Sequence, residues 1–172
     1  MWFALAQVFG VMKLIIFCLG IQTKQKKDIL KFQAIANVFA VLQYFLLGAY
    51  TGAVIFAISI IRAITFYQCE KKHSKNSVAL LITFLMISLF FGAVAYQNIF
   101  SILPIATSIV ITYSIWQKRS IVTKIGIITC SVIFIVYNIH TQAYAALLTN
   151  IVVIISTLIS IFRYNKLNEP SQ

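Results

Sequence analysis

Seven apolar runs fill this chain, and the short connections between them are alternately charged and uncharged. The runs cover roughly 2–22, 29–48, 51–69, 77–96, 101–116, 121–140 and 143–164. "TKQKKD", "CEKKHSKN", "QKRS" and the tail "NKLNEPSQ" hold most of the charge, whereas "GAYTG", "YQNIFS" and "IHTQA" hold none. About 20 apolar residues make a helix long enough to cross ~30 Å of hydrocarbon. Apolar residues make up 61% of the chain and charged ones 10%, too few charges to cover a water-soluble surface. The chain therefore reads as an all-α polytopic membrane protein with seven transmembrane helices. It forms a single membrane domain over 1–172, with no room for a soluble one.

Loops rich in Lys and Arg stay on the cytoplasmic side. Lys24, Lys26, Lys27, Lys71, Lys72, Lys75, Lys118, Arg119 and Lys166 all fall on one side when the spans number seven. The expected topology has the N-terminus outside and a short cytoplasmic tail at 165–172. A net charge of +11 would otherwise suggest nucleic acid. Here the charges lie in the gaps between spans, so the lipid bilayer is the expected partner and nucleic acid is not. The start "MWFALAQVFG" lacks a basic stretch, which argues against a cleaved signal peptide. Cys18, Cys69 and Cys130 have no metal-ligand or C-x-x-C spacing and read as small apolar core residues.

An internal repeat is suggested by laying "GIQTKQKKDILKFQ" over "SIWQKRSIVTKIGI" at an offset of 94 residues. Lys24 then meets Lys118, Asn37 meets Ser131, and Tyr44 meets Asn138. A gap of seven residues in the outer loop raises the offset to 101 and aligns "SIIR" with "SIFR", pairing Ser59 with Ser160 and Arg62 with Arg163. These two arginines serve as marks of the repeat and as cytoplasmic anchors that snorkel to the interface. The resulting plan is 3+1+3: a first three-helix repeat in 1–70, a linking helix at 77–96 and a second repeat in 101–164.

This arrangement resembles the superfamily of SWEET, PQ-loop and PnuC-type transporters. At closer range "LAQVFGV", "FLLGAYTGA" and the two arginine steps resemble the YgjV-type bacterial inner-membrane proteins over nearly the whole chain. The resemblance implies a multi-pass protein of the bacterial inner membrane. The Pro-Gln pair of PQ-loop proteins is absent, since Pro104 is followed by Ile105, so their substrates and proton coupling do not carry over.

Polar residues within spans are costly and generally face the bundle interior or a cavity. Gln33, Asn37 and Tyr44 share one face of helix two; Ser131 and Asn138 occupy the matching face of helix six. Two readings stand side by side: interhelical hydrogen bonds, or a substrate site between the repeats. Asn150 on helix seven could join that site. Lys13, near the middle of helix one, has no carboxylate within any span to neutralise it. It could lose its proton, pair with carbonyls or meet an anionic substrate. Gly10 and Pro104, at matching positions, are candidate hinges, with close packing and a helix start as the plain alternatives. His140 is a possible titrating group at the outer boundary, and His73 lies in a basic loop.

No metal-ligand cluster, phosphate loop or nucleophile–base set is apparent, so neither enzyme activity nor a cofactor is expected. The expected function is a small-solute facilitator working by alternating access, its partner an unknown small polar or anionic solute. The alternative is a non-transporting membrane scaffold or accessory subunit. A homo-oligomer is compatible with either.

Overall fold

The structure, a computed structural model, describes residues 2–23, 25–72, 77–117 and 119–168, with side chains as far as Arg163. Lys24, His73, Lys75, Lys118, Glu169 and the tail from 169 lie outside the described residues, as does the side chain of Lys166. The elements are α1 (Trp2–Ile21), α2 (Lys26–Leu46), α3 (Tyr50–Lys71), α4 (Val78–Val94), a 3-10 turn (Ile99–Ser101), α5 (Ile102–Trp116), α6 (Ser120–His140) and α7 (Tyr144–Asn168). Among the described residues there is no strand.

Local chemistry explains where several helices begin and end. Asp28 in the first turn of α2 and Lys71 in the last turn of α3 each complement the helix dipole. The Ser77 hydroxyl accepts from the Ala79 amide and caps α4. Asn98 and Ser101 form a reciprocal capping box that starts the 3-10 turn leading into α5. Asp28, Glu70 and Lys26, read from the sequence as loop residues, are thus helical.

Among the described residues six helices are long and apolar enough to cross a membrane, counting Ile99–Trp116 as one. The seventh, α4, has 17 residues, at the lower end of the spanning range of about 17–25. Side chains are distributed inversely to those of a soluble bundle. Ile61, Phe90, Val94 and Phe162 are exposed, while Asn37, Thr51, Arg62, Thr112 and Asn138 are buried. In α4 only Phe84, Ser88 and Gly92 are buried, a stripe one turn apart, and the remainder offers apolar surface to lipid.

The helices pack as two sequential groups. α1 packs on α2 and α2 on α3; α5 packs on α6 and α6 on α7. The groups meet where α1 lies against α7 and α3 against α5, with α4 on α3 and α5. Lys26, Lys27, Glu70 and Lys71 gather at one end of the bundle, where Lys26 bonds the Gln117 carbonyl, here the charged end; the turns after α2, α4 and α6 meet at the other, the uncharged end.

The turns after α2 and α6 are built alike, 94 residues apart. The amides of Leu47, Gly48 and Ala49 donate to the carbonyls of Gln43, Phe45 and Tyr44; those of Thr141, Gln142 and Ala143 donate to Tyr137, Ile139 and Asn138. Gly48 (φ 69°) and Gln142 (φ 54°) both take the left-handed conformation, which costs glycine little. Both turns have the same length, so the seven-residue gap expected in the outer loop does not exist. At a constant offset of 94, Ser59 matches Val153 and Arg62 matches Ser156. The pairing of Ser59 with Ser160 and of Arg62 with Arg163 is therefore a coincidence of sequence, not a structural register.

The plain alternatives account for both candidate hinges in this structure. α1 runs unbroken through Gly10, whose Cβ position lies 2.6 Å from Gln43 Nε2 and 2.7 Å from Ala145 Cβ, so glycine is there for close packing. Pro104 lies in the first turn of α5, where its missing N–H removes no intrahelical bond.

Candidate functional site

The constellation is built at mid-depth, where the six helices of the two groups turn polar side chains inward. Lys13 comes from α1, Gln33 and Asn37 from α2, Ser59 and Arg62 from α3, and Ser131 from α6. Together with Asn150 of α7 and Thr107 and Ser108 of α5 they line one cavity of about 70 Å³. Its walls are otherwise apolar: Phe17, Ile55, Phe56, Ile111, Ile127, Cys130, Phe134 and Val153, with Thr149 completing the ring. Lys13, Asn37, Ser131 and Asn150, expected at a shared site, do come together.

Fourteen of these lining residues form seven pairs 94 residues apart. They are Lys13 and Thr107, Phe17 and Ile111, Gln33 and Ile127, Asn37 and Ser131, Ile55 and Thr149, Phe56 and Asn150, and Ser59 and Val153. The cavity is thus ringed by positions a constant 94 residues apart that carry unlike chemistry.

Arg62 departs furthest from expectation. It lies twelve residues into α3, about 18 Å along the axis at 1.5 Å per residue, and is 1% exposed. A side chain at that depth is no interfacial anchor. Its Nη1 donates to the Ser108 carbonyl (3.1 Å), Ser108 Oγ (3.0 Å) and Thr112 Oγ1 (2.6 Å), and its Nη2 to Ser59 Oγ (2.7 Å). All four acceptors are neutral. Arg163, nineteen residues into α7 and about 28 Å from its start, is exposed as an anchor would be. Ser160 has a separate role, accepting from Lys124 Nζ (2.7 Å) and donating to the Ile21 carbonyl (3.0 Å) across the α7–α1 contact.

Lys13 is 6% exposed and meets no hydrogen-bond or ion-pair partner among the described residues. Its Nζ lies over the faces of Phe56 (4.7 Å) and Tyr44 (5.8 Å) instead, a cation–π arrangement. Gln33 Oε1, Asn37 Nδ2, Asn150 Nδ2 and Arg62 Nε are buried without hydrogen-bond partners. Unmet polar atoms are expensive in a dry interior, and four of the eight found among the described residues belong to the lining of this one cavity.

A family model described as Imp-YgjV, bacterial inner membrane protein, matches residues 4–168. The chain belongs to that family. No curated protein and no solved structure matches it. With six helices of spanning length, this Imp-YgjV chain is a multi-pass inner-membrane protein.

Two further expected residues close the cavity instead of lining it. Tyr44 and Asn138 lie seven residues beyond Asn37 and Ser131, about 10 Å nearer the uncharged end. The Tyr44 hydroxyl donates to Asn138 Oδ1, tying α2 to α6. The Tyr137 hydroxyl accepts from the Gly52 amide (3.2 Å), tying α6 to α3. Tyr44 stacks on Phe56 (5.2 Å), Phe56 on Phe134 (5.3 Å), and Tyr137 meets Phe134 edge-on (6.0 Å). Above this aromatic plug a recess of about 170 Å³ has Tyr137 in its wall, with Gly48, Gln97 and His140. His140 is exposed and stacked on Phe100.

The other end is closed differently. Ile21, Ile29, Leu30, Ile115 and Phe66 pack below the cavity. Lys26 Nζ then pairs with Glu70 (2.6 Å) and donates to the Gln117 carbonyl (2.7 Å), so one buried ammonium spans α2, α3 and the end of α5. A recess of about 220 Å³ beside it is lined by Gln25, Lys26, Lys27, Glu70 and Lys71.

Phe56, Thr107, Ser108 and Thr149 were missed from the sequence. The signal was available: 94 residues beyond Lys13 lies Thr107, beyond Ile55 lies Thr149, and 94 before Asn150 lies Phe56.

Proposed function

We propose that the chain is a small-solute facilitator whose two three-helix halves rock about the central cavity. The observation that carries this reading is the cavity itself: seven pairs spaced by 94 residues ring it, and residues that keep unpartnered buried polar atoms line it. A seat between two related halves, closed at both ends by different contacts, is what alternating access requires.

The 3+1+3 plan gains support from packing. Exchanging α1 with α5, α2 with α6 and α3 with α7 maps the principal contacts onto themselves. Contacts between single residues obey the same exchange. Gly20 lies against Phe32 in the first helical hairpin, and Ser114 lies against Gly126 in the second, both pairs displaced by 94. Gln7 Oε1 accepts from the Ala145 amide (2.8 Å), and its counterpart Ser101 bonds Thr51, the counterpart of Ala145 (3.0 Å). This favours the SWEET-like arrangement of parallel repeats, with α4 as the linking span.

In that arrangement the charged end is cytoplasmic and the N-terminus outside. The scaffold alternative would have the polar faces fastened to one another, whereas Gln33, Asn37 and Asn150 each keep an unmet atom. The test is flux into proteoliposomes across a panel of neutral sugars, amino acids and short organic acids. The expected result is saturable flux of at least one class, lost in an Asn37→Ala, Ser131→Ala double variant. Flux equal to that of empty liposomes for the whole panel favours the scaffold.

A further inference from the structure

We propose that the central cavity takes a small organic monocarboxylate, its charged head against Arg62 and Lys13 and its short apolar body against the aromatic and aliphatic walls. The inference rests on the transporter reading for its physiological meaning, although binding itself is measurable without transport.

Charge comes first. Two cationic side chains line the cavity and no Asp or Glu does. The nearest described carboxylates by sequence, Asp28 and Glu70, lie five residues from Gln33 and eight from Arg62, about 8 and 12 Å away along their helices. Glu70 is already paired with Lys26. A guanidinium keeps its proton in proteins, and every acceptor that Arg62 reaches is a neutral oxygen. Its charge is solvated by dipoles and left unneutralised in the middle of a low-dielectric layer, where an anion gains most from it.

Donor and acceptor balance points the same way. Of the unpartnered buried atoms around the cavity, Arg62 Nε, Asn37 Nδ2 and Asn150 Nδ2 are donors, and Gln33 Oε1 is the acceptor. The Lys13 ammonium, held over two rings, adds further N–H donors. A carboxylate uses donors alone, and the two cationic heads supply donors that also carry charge.

Size and walls narrow the class. At about 10–15 Å³ per water-sized position, 70 Å³ holds roughly five to seven such positions. That is a few carbon atoms beyond a carboxylate. An inorganic oxyanion would leave Phe17, Phe56, Ile111 and Phe134 facing water, whereas an alkyl body covers them.

The test uses the purified full chain in detergent, titrated with propionate and with its neutral isostere propionamide, followed by calorimetry and thermal shift. Propionate is expected to bind saturably at millimolar concentration and propionamide not to. Lys13→Met keeps length and removes the charge; Arg62→Lys keeps the charge and removes the planar fork. Each is expected to weaken propionate binding about ten-fold or more, the loss of one charge-assisted hydrogen bond. Should Arg62→Lys fail to fold, Lys13→Met decides alone. Equal binding of propionamide, unchanged affinity in the folded variants, or no saturable binding overturns the proposal. Nitrate or chloride binding as tightly as propionate overturns the organic body. Saturable propionate binding with no flux in proteoliposomes leaves the anion site standing and overturns the transporter reading. Flux of neutral solutes without propionate binding does the reverse.

Discussion

Replacing Tyr44 by Phe removes a single oxygen and leaves the ring stack on Phe56 in place. The lost atom is the donor that ties α2 to α6 through Asn138. Both residues are fully buried, and Asn138 Nδ2 has no hydrogen-bond partner, so after the change neither end of that amide is satisfied. Between membrane helices such a bond contributes about 0.6 kcal/mol on average and up to about 1.7. If it stabilises the state closed at the uncharged end, its loss shifts the closed-to-open ratio roughly 3- to 16-fold. Cys130 provides the readout, because it lines the cavity directly below the plug. With Cys18 and Cys69 replaced by Ala, a small methanethiosulfonate applied from the uncharged side should label Cys130 faster in Tyr44→Phe by that factor. A double-mutant cycle with Asn138→Leu should show coupling of the same size. Equal labelling rates in folded wild type and variant, with no coupling, would refute the assignment of this bond as part of a gate.

Other perturbations separate local roles. A Cβ on Gly126 would run into Ser114 Oγ and Cβ, so Gly126→Ala should destabilise the α5–α6 hairpin by about 1–3 kcal/mol, and Ser114→Gly should restore the melting temperature. Glu70→Ala removes the carboxylate from a buried ammonium and should lower stability by about 1.5–3 kcal/mol in thermal unfolding, while Lys26 keeps its bond to the Gln117 carbonyl. Arg163→Gln, at an exposed position, should stay within about 0.5 kcal/mol of wild type and leave flux unchanged, in contrast to Arg62.

The helices were legible in the sequence because apolar runs and charged gaps report membrane crossing directly. The helix ends agree to within a few residues of the runs, and α4 was visible although only Phe84, Ser88 and Gly92 of it are buried. The polar positions Lys13, Asn37, Ser131 and Asn150 were legible for a related reason: such groups are too costly to face lipid, so they had to turn inward. What the sequence obscured was depth. "SIIR" and "SIFR" look alike, yet Arg62 lies at mid-span with four hydrogen bonds and Arg163 near a helix end, because their distances from the preceding turn differ by seven residues. Tyr44 and Asn138 were read as lining the site, but side-chain length and direction decided that they would bond to each other above the cavity. The apolar half of the site, Phe17, Phe56 and Phe134 above all, could not be told by residue type from the apolar residues that face lipid. The 94-residue spacing picks out Phe17 and Phe56, the partners of Ile111 and Asn150, but not Phe134.

The rocking of two halves about the cavity is tested most directly by distances between spin labels in proteoliposomes. Tyr50 and Tyr144 are matched, exposed positions at the uncharged end; Gln25 and Arg119 are matched, exposed positions at the charged end. Double electron–electron resonance on each cysteine pair, in backgrounds lacking the native thiols, should give two populations at each end. Tyr44→Phe should lengthen the distance at the uncharged end and shorten it at the charged end. A single distance at both ends, unmoved by Tyr44→Phe or by propionate, would contradict alternating access and leave the polar centre as packing alone.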